Sequence, residues 1–186
     1  MLTWIILGVI VLALLYGVAV YNRLVRLRAL VREAFSGITV QLRRRADLVP
    51  NLVSTVQGYA SHERETLDAV TAQRTAANNA GTVAATAQAD AAMTAMLGRL
   101  FAVAEAYPDL KADANFRERQ TELSGLETEL QSARRYYNAT ARDLNTKVVS
   151  FPDMFFAGPM GFKEEPYYED ADPAIQSAPK VDFKPA

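Results

Sequence analysis

The stretch RRRADLVPNLV, residues 43–53, places three arginines, an aspartate and a proline inside a run whose apolar residues otherwise keep helical spacing. A proline inside a helix lacks the amide N–H, and its ring clashes with the carbonyl four residues back. Asp47 is a good N-cap residue, and proline is tolerated in the first helical turn that follows a cap. The stretch therefore predicts the end of one helix, or a sharp kink, and the start of the next.

Towards the N-terminus, the apolar positions recur at steps of three and four residues, which is the stripe of an amphipathic helix. They are Leu24, Leu27, Val31, Phe35, Ile38 and Leu42. The preceding residues 1–21 contain no charged side chain, and about 20 such residues span the hydrocarbon core of a bilayer. We predict an uncleaved transmembrane helix at 1–21 that continues outward as one rod. A cleaved signal peptide is the alternative, but no Lys or Arg precedes the apolar run and the run is too long.

The charge distribution predicts the orientation of this span. Only the amino terminus precedes it, whereas Arg23, Arg26, Arg28 and Arg32 follow it. Positive residues are retained on the cytoplasmic side. We therefore expect an N-out, C-in topology in a bacterial inner membrane, with the rest of the chain cytoplasmic.

Three further helices are expected towards the C-terminus, and no stretch alternates as a strand would. The second helix fades into a turn at Asn78, Asn79 and Gly81, and an alanine-rich third helix stops near Tyr107 and Pro108. The fourth runs from Leu110 to Val149 with a nearly heptad apolar seam. The predicted fold is all-α: a transmembrane helix continuing into an antiparallel four-helix bundle over 22–150. Residues 151–186 form an irregular aromatic, acidic and proline-rich tail, partly disordered after about Asp170, whose first part folds back onto the bundle, the membrane or a partner.

Catalytic and metal-binding motifs receive little support. The chain has no cysteine and one histidine, which excludes thiolate chemistry and cysteine-ligated metals. His62 and Glu63 begin an HExxH pattern, but its fifth position is Thr66, so a surface or capping histidine is the better interpretation. We expect no enzyme activity, no cofactor and no metal site.

Two groups of residues are candidates for contacts instead. Lipid head groups are expected at basic residues beside the span, since cations there attract anionic lipids; these are Arg23, Arg26, Arg28, Arg43, Arg44 and Arg45. Nucleic acid is not expected to bind, because the arginines have no interleaved aromatic residues and radiate around a helix. Because the fourth helix is longer than the second and third, one end of its seam is expected to form a homo-oligomer or partner contact, at Leu144, Val148, Phe151, Phe155 and Phe156.

Several blocks together resemble the LemA family of bacterial membrane proteins. They are YNRLVRLR at 21–28, RRRADLVPNLVSTVQGYASHERETLDAVTAQR at 43–74, ANFRERQTELSGLETELQSARRYYNATARDLN at 114–145 and FPDMFFAGPMGF at 151–162. The resemblance implies a bacterial single-span protein with an antiparallel helical bundle and no established catalytic activity. The matching positions, expected to be structural, include Asn22, Asp47, Pro50, Asn51, Gly58, Tyr59, His62, Glu63, Tyr136, Tyr137 and Asn138.

These observations predict a membrane-anchored scaffold or adaptor that lacks catalysis. Such a protein would present helix surfaces and the tail to an unknown membrane or cytoplasmic protein partner, and it would self-associate. Two alternatives stay open: a lipid-contacting protein that organises or remodels the membrane, and an accessory to envelope stress or proteolysis.

Overall fold

The computed structural model describes residues 1–60, 62–78 and 81–168, and within them every regular element is a helix. This confirms the predicted all-α class for that part of the chain. The helices are α1 Leu2–Tyr59, α2 Arg64–Asn78, α3 Val83–Glu105, α4 Pro108–Ala112, α5 Ala114–Val149 and α6 Met154–Ala157.

Helix α1 runs without a break for 58 residues and contains Pro50 in its interior. The prediction that a helix ends at this proline is therefore wrong, although the predicted kink stays a prediction. Pro50 is exposed, while Val49 and Leu52 beside it are buried. Packing of this apolar face outweighs the helix-breaking preference of the proline, as tertiary context often does. The chain leaves the helix only at Ala60.

The chain divides into two compact units, and the first contains Met1–Arg44 together with Leu123–Tyr168. Side-chain contacts between α1 and the C-terminal part of the chain include Arg44 with Glu129, Phe35 with Tyr137, and Tyr16 with Asp153. In these pairs the residue number on α1 falls as the number of its partner rises, so the two segments run antiparallel. The core of this unit holds apolar residues from both helices, among them Leu24, Val31, Ile38, Leu130, Tyr137 and Leu144.

The second unit contains Arg45–Glu122, which includes the last part of α1, helices α2 to α4 and the start of α5. Its core holds Leu52, Val56, Val70, Met93, Leu97 and Leu100. Helix α3 begins at the N-cap Thr82, whose hydroxyl accepts a hydrogen bond from the amide of Ala85. It ends at Glu105, close to the predicted stop. The long fourth helix is confirmed as α4 followed by α5, with a break at Asp113, which is the C-cap of α4.

The turn predicted at Asn78, Asn79 and Gly81 falls partly outside the described residues, because only Asn78 and Gly81 belong to them. The disorder predicted after Asp170 lies outside them entirely. The antiparallel pairing within the first unit agrees with the expectation for that pair, while the arrangement of a four-helix bundle stays a prediction.

The first part of the tail, residues 151–168, folds back onto the helices of the first unit. Asp153, Ala157, Phe162 and Tyr168 are buried there. Gly161 adopts a positive φ of 74°, a conformation that glycine reaches at low cost, and this turn directs Phe162 back towards α1. The ring of Phe162 lies 5.9 Å from that of Tyr21 between centroids. The sequence left three possible contact surfaces for this segment, and the structure shows it packed on the helices of the first unit.

Candidate functional site

A polar cluster joins the tail to the apolar part of α1. The hydroxyl of Tyr16 donates a 2.6 Å hydrogen bond to Oδ1 of Asp153, and the ammonium group of Lys147 forms an ion pair with Oδ2 of the same carboxylate. Asp153 is only 1% exposed. A buried carboxylate is costly unless it is paired and hydrogen-bonded, and here each of its two oxygens has a partner. The cluster therefore holds the start of the tail at the level of residue 16.

Close packing accompanies this cluster one residue further along α1. The ring of Phe156 lies over Gly17, where a Cβ atom would stand 3.1 Å from Cε1 of the ring. The same ring lies 5.7 Å from the ring of Tyr16 between centroids. Because glycine has no side chain, it lets the phenylalanine approach the helix backbone. Tyr16, Gly17, Asp153 and Phe156 thus form one contact that combines polar and apolar parts.

A second set of hydrogen bonds fixes the extended end of the tail on α5. Asn145 and Glu165 exchange two bonds, from Nδ2 to the carbonyl at 2.8 Å and from the amide to Oδ1 at 2.7 Å. Asn138 and Tyr168 repeat the pattern at 3.0 and 2.8 Å. Asparagine carries both a donor and an acceptor, so each side chain satisfies a complete backbone residue. Both asparagines therefore bind the backbone of the tail, whereas Asn51 is exposed on α1.

Tyr137 lies on the predicted seam and is 1% exposed, with its hydroxyl donating a 2.8 Å hydrogen bond to the carbonyl of Pro166. Burial, assisted by the negative charge of Glu165, raises the pKa of Tyr137 to about 12. The neighbouring Tyr136 is 51% exposed. Tyr137 therefore has a structural role, whereas the ring of Tyr136 is accessible.

The six arginines predicted to contact lipid occupy different environments. Arg23 and Arg26 are exposed just after the apolar run, and Arg43 and Arg44 are exposed further along α1. Arg28 is half-buried, with its guanidinium carbon 4.6 Å from the ring centroid of Phe162.

For Arg45, the prediction of lipid contact is wrong. It is 7% exposed and forms a 3.1 Å ion pair with Asp90, which is 2% exposed. This side chain faces the core of the second unit, so it is not available to a lipid head group.

The five residues predicted for self-association also differ in exposure. Leu144 is 1% exposed and lies in the core of the first unit, so it is not available for self-association. Phe156 is half-buried against Gly17, and Val148 is half-buried. Phe151 and Phe155 are 77% and 65% exposed. Only these two phenylalanines retain a large accessible surface.

The signature residues in the second unit surround its turns. His62 is exposed between α1 and α2, and Glu63 donates its amide to the carbonyl of Ala60. The hydroxyl of Tyr59 donates a 3.1 Å hydrogen bond to Asp113, which raises the pKa of Tyr59. Asp113 also accepts from the amide of Phe116, and chiefly this bond holds the pKa of its carboxyl below the usual value.

The remaining signature positions outside α5 are exposed at two places along α1. Asp47, Asn51 and Gly58 are exposed on the last part of α1, as is Pro50, and Asn22 is exposed at the end of the apolar run. Among the described residues, no group of three His, Asp or Glu side chains is close enough to hold a metal ion.

Sequence reasoning missed the residues that form the tail cluster. Tyr16 falls within the predicted span, and no sequence pattern singles out Asp153 or Lys147. One available signal was an acidic residue inside the apolar block FPDMFF, since a carboxylate in apolar surroundings needs a partner. The sequence could not say which partner, because 137 residues separate Asp153 from Tyr16.

The described structure is that of an all-helical protein whose N-terminal helix is long and apolar enough to cross a membrane, by length and composition. A family model, that of the LemA family, matches residues 34–183. The chain belongs to the LemA family, as its sequence blocks predicted.

Individual relatives are similar at a lower level. Protein LemA of Metamycoplasma hominis is 29% identical over 131 residues, covering 70% of this chain and 60% of that protein. Magnetosome protein MamQ 2 of Paramagnetospirillum magneticum is 24% identical over 176 residues, covering 81% and 65%. Magnetosome protein MamQ of Magnetospirillum gryphiswaldense is 30% identical over 82 residues, covering 44% and 30%. The matches thus span less than two thirds of the length of these relatives.

Proposed function

We propose that this chain is a membrane-anchored helical scaffold without catalytic activity, which presents its helix surfaces and tail to a protein partner. The observation that carries the proposal is the continuity of α1. The same 58-residue helix contains the apolar run and, from Arg45 onward, part of the core of the second unit. The apolar run is thus joined to the helical part of the chain without an irregular linker, as expected of an anchored scaffold.

The surface of α5 offers a testable partner contact. Tyr136 is 51% exposed, and Arg135 beside it is exposed as well. Tyrosine and arginine are enriched among the residues that dominate binding energy at protein interfaces. Val40 on α1 has a similar exposure of 50% but has no aromatic ring, so it provides a matched control position.

Photo-crosslinking in intact cells tests this proposal. A photoreactive phenylalanine analogue at position 136 should give one discrete adduct of defined mass, whereas the same analogue at position 40 should not. Identical products from both positions, or no adduct at position 136, would count against a partner on this surface.

The proposed orientation is N-out and C-in, in a bacterial inner membrane. The chain has no cysteine, so a single Tyr136→Cys change creates a unique label site. A maleimide that cannot cross membranes should modify it only after spheroplasts are lysed. Modification in intact spheroplasts would reverse the orientation while leaving the anchor itself in place.

A second candidate function is organisation of the membrane by lipid contact. It is favoured by Arg23 and Arg26, which are exposed immediately after the apolar run and would attract anionic head groups. Replacing both arginines with glutamine should reduce the enrichment of anionic lipid co-purified with the protein. Unchanged enrichment would remove this candidate. Self-association stays a prediction, and the accessible residues that remain for it are Phe151 and Phe155.

A further inference from the structure

The segment 151–160 places a second apolar surface beside the transmembrane run. Phe151, Met154, Phe155 and Met160 are 77%, 48%, 65% and 38% exposed. Single exposed apolar residues are ordinary, but a contiguous group of large ones marks an interaction surface. Here the group lies beside the apolar part of α1, whose own exposed side chains are suited to a lipid bilayer.

The bond between Tyr16 and Asp153 sets the depth of this segment. The first charged residue after the apolar run is Arg23, seven positions beyond Tyr16, which is about 10 Å along a helix axis. Since about 20 apolar residues are needed to cross the hydrocarbon core, residue 16 lies within the run and not at its edge. The side chain bonded to it must lie at a similar depth.

The polar groups of the cluster are arranged as groups inside a membrane are. Ionisable residues there pair with one another and face protein. Asp153 is 1% exposed and is bonded to both Tyr16 and Lys147. The ammonium group of Lys147 is paired with this carboxylate, so its charge is also satisfied inside the protein. The cluster therefore satisfies its charge within the protein and leaves the neighbouring phenylalanines facing outward.

An apolar cleft lies between the segment and α1. It has a volume of about 460 Å³ and is lined on α1 by residues that include Ile10, Leu14 and Val18, and on the tail by Phe156 and Met160. A water molecule is poorly accommodated in such an apolar cleft, because it needs two to four polar partners for its hydrogen bonds. A lipid acyl chain needs no polar partner.

We propose that residues 151–160 insert into the same leaflet as the C-terminal part of the span, with lipid acyl chains around Phe151 and Phe155 and in the cleft. The Tyr16–Asp153 bond and the Phe156–Gly17 contact hold the segment at this depth. The protein would then occupy more area in the leaflet that contains the inserted segment than in the other leaflet, which only the transmembrane helix crosses. This inference goes beyond anchoring, although it rests on the span that the proposed function requires.

Spin-label accessibility in vesicles of phosphatidylethanolamine and phosphatidylglycerol tests the inference. The full chain has no cysteine, so Phe155→Cys, Leu12→Cys and Tyr136→Cys each give one label site, and all three residues are at least half exposed. The ratio of oxygen to water-soluble nickel complex accessibility rises with depth in the bilayer. We expect the ratio at position 155 to be several-fold higher than at position 136 and to approach that at position 12.

A matched pair of glycine variants tests whether the contact with α1 sets this depth. A Cβ at Gly17 would meet the ring of Phe156, whereas a Cβ at Gly8 meets no atom within 4 Å. In the Phe155→Cys background, Gly17→Val should therefore lower the oxygen-to-nickel ratio, and Gly8→Val should leave it unchanged. Equal ratios in the two variants would contradict the assigned contact.

Each other outcome also decides the matter. A ratio at position 155 equal to that at position 136 places the segment in water and overturns the inference. Spin–spin broadening that disappears on dilution with unlabelled protein assigns the surface to a second copy of the chain, which also overturns it. High nickel accessibility at position 12 would show that the run does not span, and this separate result would remove the anchor of the proposed function as well.

Discussion

The hydroxyl of Tyr16 lies 2.6 Å from the carboxylate of Asp153, although 137 residues separate them in the chain. The bond joins the apolar part of α1 to the start of the tail and closes one end of the first unit. At its other end, Arg44 approaches Glu129 to 3.9 Å, and both side chains are largely exposed. Because buried, charge-assisted bonds are stronger than exposed ion pairs, the tail end of the unit has the more specific contact.

Tyr16→Phe should loosen the tail without removing the ring that packs on Phe156. A hydrogen bond to a charged group contributes about 1.5–3 kcal/mol, so backbone amides of residues 154–157 should exchange faster with deuterium, by about tenfold or more. Tyr136→Phe is the matched control, because it removes a hydroxyl from an exposed ring on α5. Equal protection of 154–157 in wild type and Tyr16→Phe would mean that this bond does not hold the tail.

Arg45→Ala should strongly destabilise the second unit, because it removes an ion-pair partner of Asp90, a carboxylate that is 2% exposed. Breaking a buried pair from one side costs about 3–5 kcal/mol, whereas replacing both partners with apolar residues is often neutral. We therefore expect Arg45→Met with Asp90→Leu to be more stable than Arg45→Ala in thermal unfolding of the full chain in detergent. The exposed Arg44→Ala serves as a control and should change the free energy of unfolding by less than about 1 kcal/mol. If the single variant matched wild type, the pair would have no structural role.

Tyr137 should make stability depend on pH in the alkaline range. Its folded-state pKa of about 12 exceeds the ordinary value of 10.0, so the protonated form is favoured by folding. Its contribution is fully present below pH 10 and is lost as the pH rises through about 12. Tyrosinate absorbance of wild type should show a step near pH 12 that Tyr137→Phe lacks. If the two titration curves coincided, the burial assigned to this hydroxyl would be wrong.

Pro50→Ala should stabilise the chain, because Pro50 lies inside α1 and is exposed. Proline costs about 3 kcal/mol relative to alanine inside a helix, and less where the helix has adapted. The expected result is a higher midpoint of thermal unfolding with unchanged helical circular dichroism. Pro108→Ala is an informative comparison, since Pro108 is at the start of α4, where proline is tolerated. A lower midpoint for Pro50→Ala would contradict the position of Pro50 inside a continuous helix and would support the helix end that the sequence predicted.

Periodicity predicted the elements whose apolar residues pack on a helix. Leu24, Val31 and Ile38 of the stripe are buried, and so are Leu130, Tyr137 and Leu144 of the seam. Pro50 was misjudged because local preference argues for a break there, while burial of Val49 and Leu52 favours continuation. The helix end near Ala60 has no comparable signal. The polar cluster at Asp153 and the pair of Arg45 with Asp90 were missed because charge alone does not identify a partner distant in sequence.

The anchor is the claim on which the account depends most, and one measurement tests it directly. Membranes from cells that express the full chain are washed with alkaline carbonate, and the mass of the retained protein is determined. An uncleaved span predicts that the protein stays in the pellet with residues 1–21 intact. A soluble chain that begins near Val20 would contradict the account, because the apolar run would then be a removed signal segment and not a membrane anchor.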